Sequence, residues 1–360
     1  MKRLIVFDMD GVIIDVSGSY RDTVRQTAKL FFKEALSWKS LPDPLFELED
    51  LAEVKQSGGL NNDWDLSCLV ISLMFSLAKK VNVKEIQTGF WGQKFGKEGK
   101  GGDKGEAAWM MHDKVISSCD VKGLAKFLIT EEKPLTTLMK KKGKKNDKFI
   151  MSLYEGDVGS GNIIKQIFQE IYLGKDLFES IYGISPRIHK NDGYIKREKP
   201  LIKISFLDAL SKDNILAIAT GRPKVEADYP LELFNLRGYF SIVLTLDDCI
   251  REEIKIMERE GKNVFFEKPN PFMLDAIANM NKHRVDNYYY VGDMPDDMVA
   301  AARSKFGFKG VGFLAKSSNK DILKSNLLRA GADYIIEDFE GLNEILESNP
   351  YDNIESHEEC

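Results

Sequence analysis

From residue 199 onward, short apolar runs alternate with segments in which apolar residues recur every three or four positions. The apolar runs are short and bounded by polar turns, which predicts strands, at residues 215–220, 241–246, 288–291, 309–313 and 333–336. The amphipathic segments predict helices at residues 200–211, 271–281, 295–304 and 320–330. Because strands and helices alternate at this spacing, we expect an α/β fold with a Rossmann-like, doubly wound parallel sheet.

One further strand is predicted far from the others. Residues 4–7, Leu-Ile-Val-Phe, form an apolar run typical of a buried parallel strand. If it joins the same sheet, residues 16–198 are an insertion. We therefore expect a core of residues 1–15 and 199–348, a large, mainly helical cap of residues 16–198 over the carboxyl edge of the sheet, and a polar tail of residues 349–360.

The insertion has the pattern of helices joined by polar loops. Helical periodicity is found at residues 19–36, 45–56, 63–80, 146–155 and 162–172. Ser19 and Asp22 have the spacing of a capping box for the first of these helices. Glycine-rich residues 92–106 predict a flexible loop and not a phosphate loop, because no apolar strand precedes them. The basic run at 140–145 predicts a solvated turn, and a further turn is expected at 159–161.

Composition narrows the class of protein. The 360 residues are 43% hydrophobic and 30% charged, with a net charge of -5, which gives no electrostatic reason to expect nucleic acid as a partner. The four cysteines and four histidines show no zinc spacing. The longest apolar segment, residues 66–78, is too short to span a bilayer, and acids at positions 8 and 10 interrupt the first apolar run too early for a signal peptide. A reduced, cytoplasmic protein without a membrane anchor is expected.

Two carboxylates follow the first predicted strand. Asp8 and Asp10 would point the same way from a strand, and Gly11 would allow a sharp turn after them. Two carboxylates about 4 Å apart repel by roughly 4 kcal/mol at an effective dielectric constant near 20, so the pair indicates a bound cation or a shared proton. Taken alone, the stretch is also compatible with a strand that leads into an Asp-Gly turn.

Other polar residues stand at the ends of other predicted strands. Thr220 ends the second strand, and Asp293 follows the strand at 288–291. Ligands of open parallel sheets bind outside the carboxyl ends of the strands, so Asp8, Thr220 and Asp293 are expected to lie together. Asn270 is expected to cap a helix that starts at Pro271, which would leave Lys268 ahead of a positive helix end that suits a phosphate.

These residues also form four motifs that resemble those of the haloacid dehalogenase superfamily, in the family's order. The motifs are Asp8-Met-Asp10-Gly-Val, Ala219-Thr220-Gly221-Arg222-Pro223, Glu267-Lys268-Pro269-Asn270-Pro271, and Gly292-Asp293-Met-Pro-Asp296-Asp297. The Lys-Pro-x-Pro form, the stretch around Gly238-Tyr-Phe, and the place of the cap between the first two motifs are similar to the phosphoglycolate phosphatase-like subfamily. The long Gly/Lys-rich cap segments depart from its common pattern.

The resemblance implies a role for each motif residue. Asp8 would be the nucleophile that forms an aspartyl-phosphate, and Asp10 the general acid and base. Thr220 and the Gly221 amide would bind the phosphoryl oxygens, and Lys268 would neutralise their charge. A Mg²⁺ ion would be held by Asp8, Asp293 and the backbone carbonyl of Asp10. Asp297 would support the metal, with its neighbour Asp296 as the alternative.

Because Asp10 is present, the resemblance favours phosphate monoesters whose alkoxide leaving group needs a proton. We therefore expect a Mg²⁺-dependent phosphatase acting on a small soluble phosphate ester, such as phosphoglycolate, a sugar phosphate or an amino-alcohol phosphate. A phosphomutase with the same aspartyl-phosphate and a non-catalytic binding module are the alternatives. The sequence does not decide between a monomer and a homodimer.

Some of the candidate residues have two interpretations. Arg222 either contacts substrate or pairs with an acid and fixes its loop. Arg21 and Asn62 are candidate substrate contacts from the cap, but Asn61, Asn62 and Asp65 are also typical turn and cap residues at the start of a helix.

Overall fold

The computed structural model of the protein describes residues 2–56, 62–78, 119–314 and 319–348. The glycine-rich loop at 92–106, Asn61, the predicted helix end at 79–80 and the tail at 349–360 lie outside these residues. The chain divides into two units, one of residues 1–15 with 199–360 and the other of residues 16–198. No helix among the described residues has the length and apolar character needed to cross a membrane.

The first unit contains a six-stranded parallel sheet in the order β5-β4-β1-β6-β7-β8. Its strands are β1 Lys2–Phe7, β4 Asn214–Ala219, β5 Ile242–Leu244, β6 Val285–Gly292, β7 Lys309–Phe313 and β8 Tyr334–Ile336. The predicted α/β class is confirmed. The strand predicted at 288–291 is longer than expected, because Val285 also lies in the core cluster. Two further strands, β2 Ile14–Asp15 and β3 Lys199–Pro200, form a separate, short antiparallel pair that the sequence did not predict.

The second unit is helical. Its helices are α1 Tyr20–Leu30, which continues as a π-helix over Phe31–Ala35, α2 Leu48–Gln56, α3 Asp63–Ala78, α4 Val121–Thr130, α5 Pro134–Lys142, α6 Lys148–Ser152 and α7 Ile163–Tyr182. The basic run at 140–145, predicted as a solvated turn, is exposed, but its first three lysines belong to the last turn of α5. Their positive charges are favourable there because the carboxyl end of a helix is negative. The turn predicted at 159–161 contains glycines with positive φ at both ends.

Two predictions in the second unit are wrong in detail. Ser19 does not cap α1 through its side chain, because its hydroxyl donates instead to the buried carboxylate of Glu198 at 2.9 Å. The helix predicted at 162–172 extends to Tyr182 with a break at Gly174, where φ is 73°. There the backbone abuts Gly193 so closely that a Cβ on Gly174 would lie 2.1 Å from the Gly193 nitrogen.

The helices of the first unit cover both faces of its sheet. They are α8 Ile204–Asp213, α9 Lys224–Leu233, α10 Leu246–Glu260, α11 Phe272–Asn281, α12 Pro295–Arg303, α13 Lys320–Arg329 and α14 Phe339–Glu347. Leu4 and Val6 of β1 belong to a core cluster with residues of α11 and α12. Phe7 points away from that cluster and lies 6.4 Å, between ring centroids, from Phe339 of α14. Since residues of a strand alternate in direction, β1 is buried on both faces.

Candidate active site

The centre of the site is set by the register of three neighbouring strands. Phe7, the last residue of β1, pairs with Ile218 of β4 on one side and with Val291 of β6 on the other. Asp8 therefore leaves the sheet between two strands, and its amide donates to the Val291 carbonyl at 2.8 Å. Parallel pairing thus brings the acids after β1 and β6, and the threonine after β4, to one edge of the sheet.

Three carboxylates meet at this edge. Asp8, Asp293 and Asp297 each offer one oxygen, and these oxygens lie within 4.8 Å of one another. Asp8 and Asp297 are buried, whereas Asp293 is partly exposed. A buried, all-oxygen donor set with this much negative charge fits a hard cation such as Mg²⁺. The donor set includes Asp297 and not its neighbour Asp296.

Lys268 joins two of these acids. Its Nζ donates to Asp8 Oδ1 and to Asp297 Oδ1, both at 2.7 Å. Burial alone would lower the pKa of Lys268, but the charges of Asp297 and Asp8 outweigh burial and raise that pKa well above its usual value. One lysine offsets only one of the three negative charges, so the cluster retains charge for a divalent cation.

Asp8 has a perturbed pKa. Burial raises the pKa of its carboxyl to about 7, against the opposing charge of Lys268 and with additional contributions from Asp297 and Asp10. The carboxylate form of Asp8 is therefore costly at this position unless a cation lies beside it.

Asp297 is held by a residue that sequence reasoning missed. The hydroxyl of Tyr290, which is fully buried in β6, donates to Asp297 Oδ1 at 2.9 Å. Burial and the charge of Asp297 raise the pKa of Tyr290 well above its usual value. The Met294 amide donates to the other oxygen of Asp297 at 3.0 Å. The sequence did contain a signal for this contact. Tyr290 is two residues before the glycine of the fourth motif, so both point to the same face of the strand.

Glycines make close packing possible around the acids. Gly11 has φ of 75° and packs against the Asp293 carboxylate, where an added Cβ would lie 2.1 Å from Oδ2. Gly292 packs against Asp297, where an added Cβ would lie 2.4 Å from the Asp297 Cβ. The first and fourth motifs therefore need glycine for steric reasons that the structure makes explicit.

Asp10 has a different partner. Its Oδ1 accepts a hydrogen bond from Arg222 Nε at 2.6 Å, and Arg222 NH1 donates to the Glu226 carbonyl at 3.0 Å. The Arg222 side chain is 1% exposed and that of Asp10 is 29% exposed. Of the two interpretations of Arg222, the structure shows the pairing with an acid. The Asp10 carboxylate is consequently separate from the three-acid cluster.

The second motif supplies neutral hydrogen-bonding groups. Thr220 is buried directly after β4, its amide donates to the Leu244 carbonyl, and its Oγ1 accepts from the Arg222 amide at 3.2 Å. Gly221 is exposed, with no atom close to the position of a Cβ. Asn270 Oδ1 accepts from the Phe272 amide at 3.0 Å, so Asn270 caps the first turn of α11, which begins at Phe272 and not at Pro271.

The two candidates from the helical unit differ in what surrounds them. Asn62 Oδ1 accepts from the Trp64 amide at 2.8 Å, which is the geometry of a turn at the start of α3. Asp65 accepts from the Tyr154 hydroxyl at 2.7 Å. Arg21 lies in the first turn of α1 and is partly buried.

The chain matches a protein-family model. A model of haloacid dehalogenase-like hydrolases matches residues 2–305. The chain belongs to the haloacid dehalogenase-like hydrolase family. No curated protein matches the sequence.

The chain also resembles solved structures. A structural-genomics target solved by X-ray crystallography is 22% identical with a TM-score of 0.60, over 96% of this chain and 98% of that one. A phosphatase, Tt82, from Thermococcus thioreducens is 20% identical with a TM-score of 0.48, over 90% and 99% of the two chains. A predicted phosphoglycolate phosphatase from Haemophilus somnus is 14% identical with a TM-score of 0.43, over 96% and 97%. At these identities the likeness concerns the fold.

Proposed function

We propose that this haloacid dehalogenase-like hydrolase is a Mg²⁺-dependent phosphatase, which hydrolyses a small-molecule phosphate monoester through an aspartyl-phosphate on Asp8. One observation carries the proposal. Lys268 Nζ donates to Asp8 and to Asp297 at 2.7 Å each, and Asp293 lies beside these two acids. Asp10 instead accepts a hydrogen bond from Arg222. The two acids of the first motif thus have separate partners, as different chemical roles require.

The first half-reaction transfers the phosphoryl group to the chain. A carboxylate oxygen of Asp8 bonds to phosphorus while the bond between phosphorus and the ester oxygen breaks. Asp10 gives a proton to the departing alkoxide, which a poor leaving group needs. The Thr220 hydroxyl, the Gly221 amide and the Lys268 ammonium bind the transferring oxygens and offset their charge.

The second half-reaction restores the chain. Asp10 takes a proton from a water molecule, whose oxygen bonds to phosphorus as the bond to Asp8 breaks. Inorganic phosphate leaves, and Asp8 is again a carboxylate. Arg222 keeps the Asp10 carboxylate in one orientation during both steps.

The acidic residues would hold the metal. Asp8, Asp293 and the Asp10 carbonyl are the proposed ligands, with Asp297 in support. When bound, Mg²⁺ supplies positive charge that allows a phosphate dianion to approach several carboxylates. Arg21 and Asn62 stay proposals as substrate contacts, and the ester is left at the level of a small soluble molecule.

Phosphate release from a panel of metabolite monoesters tests the proposal. We expect release that requires Mg²⁺, stops with EDTA and is lost in Asp8→Asn, while Asp321→Asn, an exposed aspartate on α13, behaves as wild type. In a single turnover, Asp10→Asn should slow release of the alcohol from alkyl phosphates far more than release of p-nitrophenol from p-nitrophenyl phosphate, because only the alkoxide needs a proton on departure. If no ester turns over but Asp8 becomes phosphorylated by a phosphate donor, a phosphomutase is favoured; if neither occurs, a binding module is.

A further inference from the structure

Helix α10 presents an apolar stripe that no residue in the described part of the chain covers completely. Ile250, Ile254 and Met257 are spaced to lie on one side of the helix and are 44%, 52% and 40% exposed. Leu246 and Cys249, in the first turn, are the buried residues of α10, and Cys249 belongs to the core cluster of the sheet. About half of each side chain in the stripe remains exposed after the helix packs.

The helix that carries the stripe is well anchored. Thr245 and Asp248 form a capping box at its start, and Gly261 ends it in the left-handed conformation. On the packed side, the Phe266 amide donates to Glu253 Oε1 at 2.6 Å. These contacts fix both ends of the helix and one point between them.

The charges beside the stripe indicate which partner fits. Arg251 and Glu258 are exposed and seven residues apart, so they lie on the same flank of the helix, two turns from each other. Arg251 also forms a surface ion pair with Asp248 of its own chain at 2.8 Å, a kind of pair that contributes little to stability and can be exchanged for one with a partner. Arg251 is three residues before Ile254, and Glu258 is four residues after it. A two-fold axis through Ile254 would therefore bring Arg251 of one copy within about 1.5 Å, along the helix axis, of Glu258 of the partner subunit.

Only an antiparallel arrangement brings Arg251 and Glu258 together in this way. In a parallel pair, each of these charged residues would instead lie beside the same residue of the partner subunit, which has the same charge. We propose that this face of α10 binds a second copy of the chain, with the two helices antiparallel about Ile254.

The expected interface is small. Three apolar side chains from each copy and one ion pair with its symmetric equivalent place it at the low end of specific interfaces, where affinities are weak. Two-fold symmetry doubles the effect of each substitution, because every residue occurs twice in the contact. The homodimer should therefore be measurable as a concentration-dependent equilibrium.

Sedimentation equilibrium over about 1 µM to 1 mM chain tests the proposal, a range that covers weak to moderate affinities. We expect wild type to pass from monomer to dimer and Ile254→Glu to raise the dissociation constant at least about ten-fold. The control is Ile322→Glu on α13, whose side chain is equally exposed at 52%, and it should match wild type. A wild-type chain that stays monomeric, or equal behaviour of the two glutamate variants, would overturn the proposal.

Charge swaps test the antiparallel register. Arg251→Glu and Glu258→Arg should each raise the dissociation constant about three- to thirty-fold, because two pairs per dimer become like-charged. The double variant restores opposite charges and should return close to the wild-type value. If it is no better than the single variants, the antiparallel contact is wrong. Circular dichroism of each variant checks that the exposed substitutions leave the fold intact.

Discussion

Replacing Gly292 with alanine should strain the site without altering any of its charged groups. The added Cβ would lie 2.4 Å from Asp297 Cβ and 2.6 Å from its Cγ and Oδ2, whereas ordinary contact begins at 3.4 Å. Asp297 would have to move by about 1 Å to relieve this overlap. Because φ of Gly292 is not in the left-handed region, the effect is steric and not a matter of backbone strain.

The magnitude follows from what Asp297 would lose by moving. It accepts hydrogen bonds from Lys268 at 2.7 Å, Tyr290 at 2.9 Å and the Met294 amide at 3.0 Å. Overpacking a close-packed site costs about 1–3 kcal/mol, and weakening hydrogen bonds to a charged group adds to this. We expect Gly292→Ala to lower the free energy of unfolding by about 2–4 kcal/mol.

Gly238→Ala is the matched control. Gly238 has no atom within 4 Å of a Cβ position and no positive φ, so the same substitution should change stability by less than about 1 kcal/mol, if anything upward. Urea denaturation measures both variants, and the rise in melting temperature with Mg²⁺ should be smaller for Gly292→Ala. Equal stability of the two variants would refute the close packing of Gly292 against Asp297.

Two further predictions concern the same acids. Tyr290→Phe removes the hydroxyl that donates to Asp297 and should lower the free energy of unfolding, measured by urea denaturation, by about 1–2 kcal/mol. The loss is limited because Lys268 still donates to the same oxygen. The control, Tyr288→Phe on the same strand, should lower the free energy of unfolding by less than about 0.5 kcal/mol. Burial raises the pKa of Asp8 to about 7, above its ordinary 3.8, so the stability that this group contributes to the metal-free protein is present at low pH and lost as pH rises through about 7. Mg²⁺ needs the carboxylate, so its affinity by titration calorimetry should rise up to about ten-fold per pH unit below 7 and level off above it; an affinity independent of pH would contradict this.

Strands buried on both faces were the easiest elements to predict. The runs that became β1 and β4 are continuously apolar, and their predicted bounds are within two residues of those observed. Helices α9, α10 and α14 were not predicted; in α10 only Leu246 and Cys249 are buried, so few apolar residues mark its packed side. The break at Gly174 was missed because it depends on Gly193, with which it is in contact only after folding.

Some residues of the candidate site could likewise be predicted from the sequence, and others could not. The sequence placed acids after β1 and β6 because strand ends are visible in a pattern of apolar residues. It could not show that Arg222 pairs with Asp10, or that Tyr290 reaches Asp297, because both depend on side-chain direction and depth in the fold. For the same reason only the structure separates Asp297 from Asp296 as the member of the acidic cluster.

The place of β1 in the sheet has a consequence for how the chain is made. This strand comprises Lys2–Phe7, yet its two neighbours in the sheet begin at Asn214 and Val285. During synthesis, the first strand leaves the ribosome long before either neighbour exists, and contacts of such large sequence separation form slowly. The intervening residues 16–198 are a separate compact unit, which can fold in the meantime. Asp8 is thus synthesised long before the strands that complete its final surroundings.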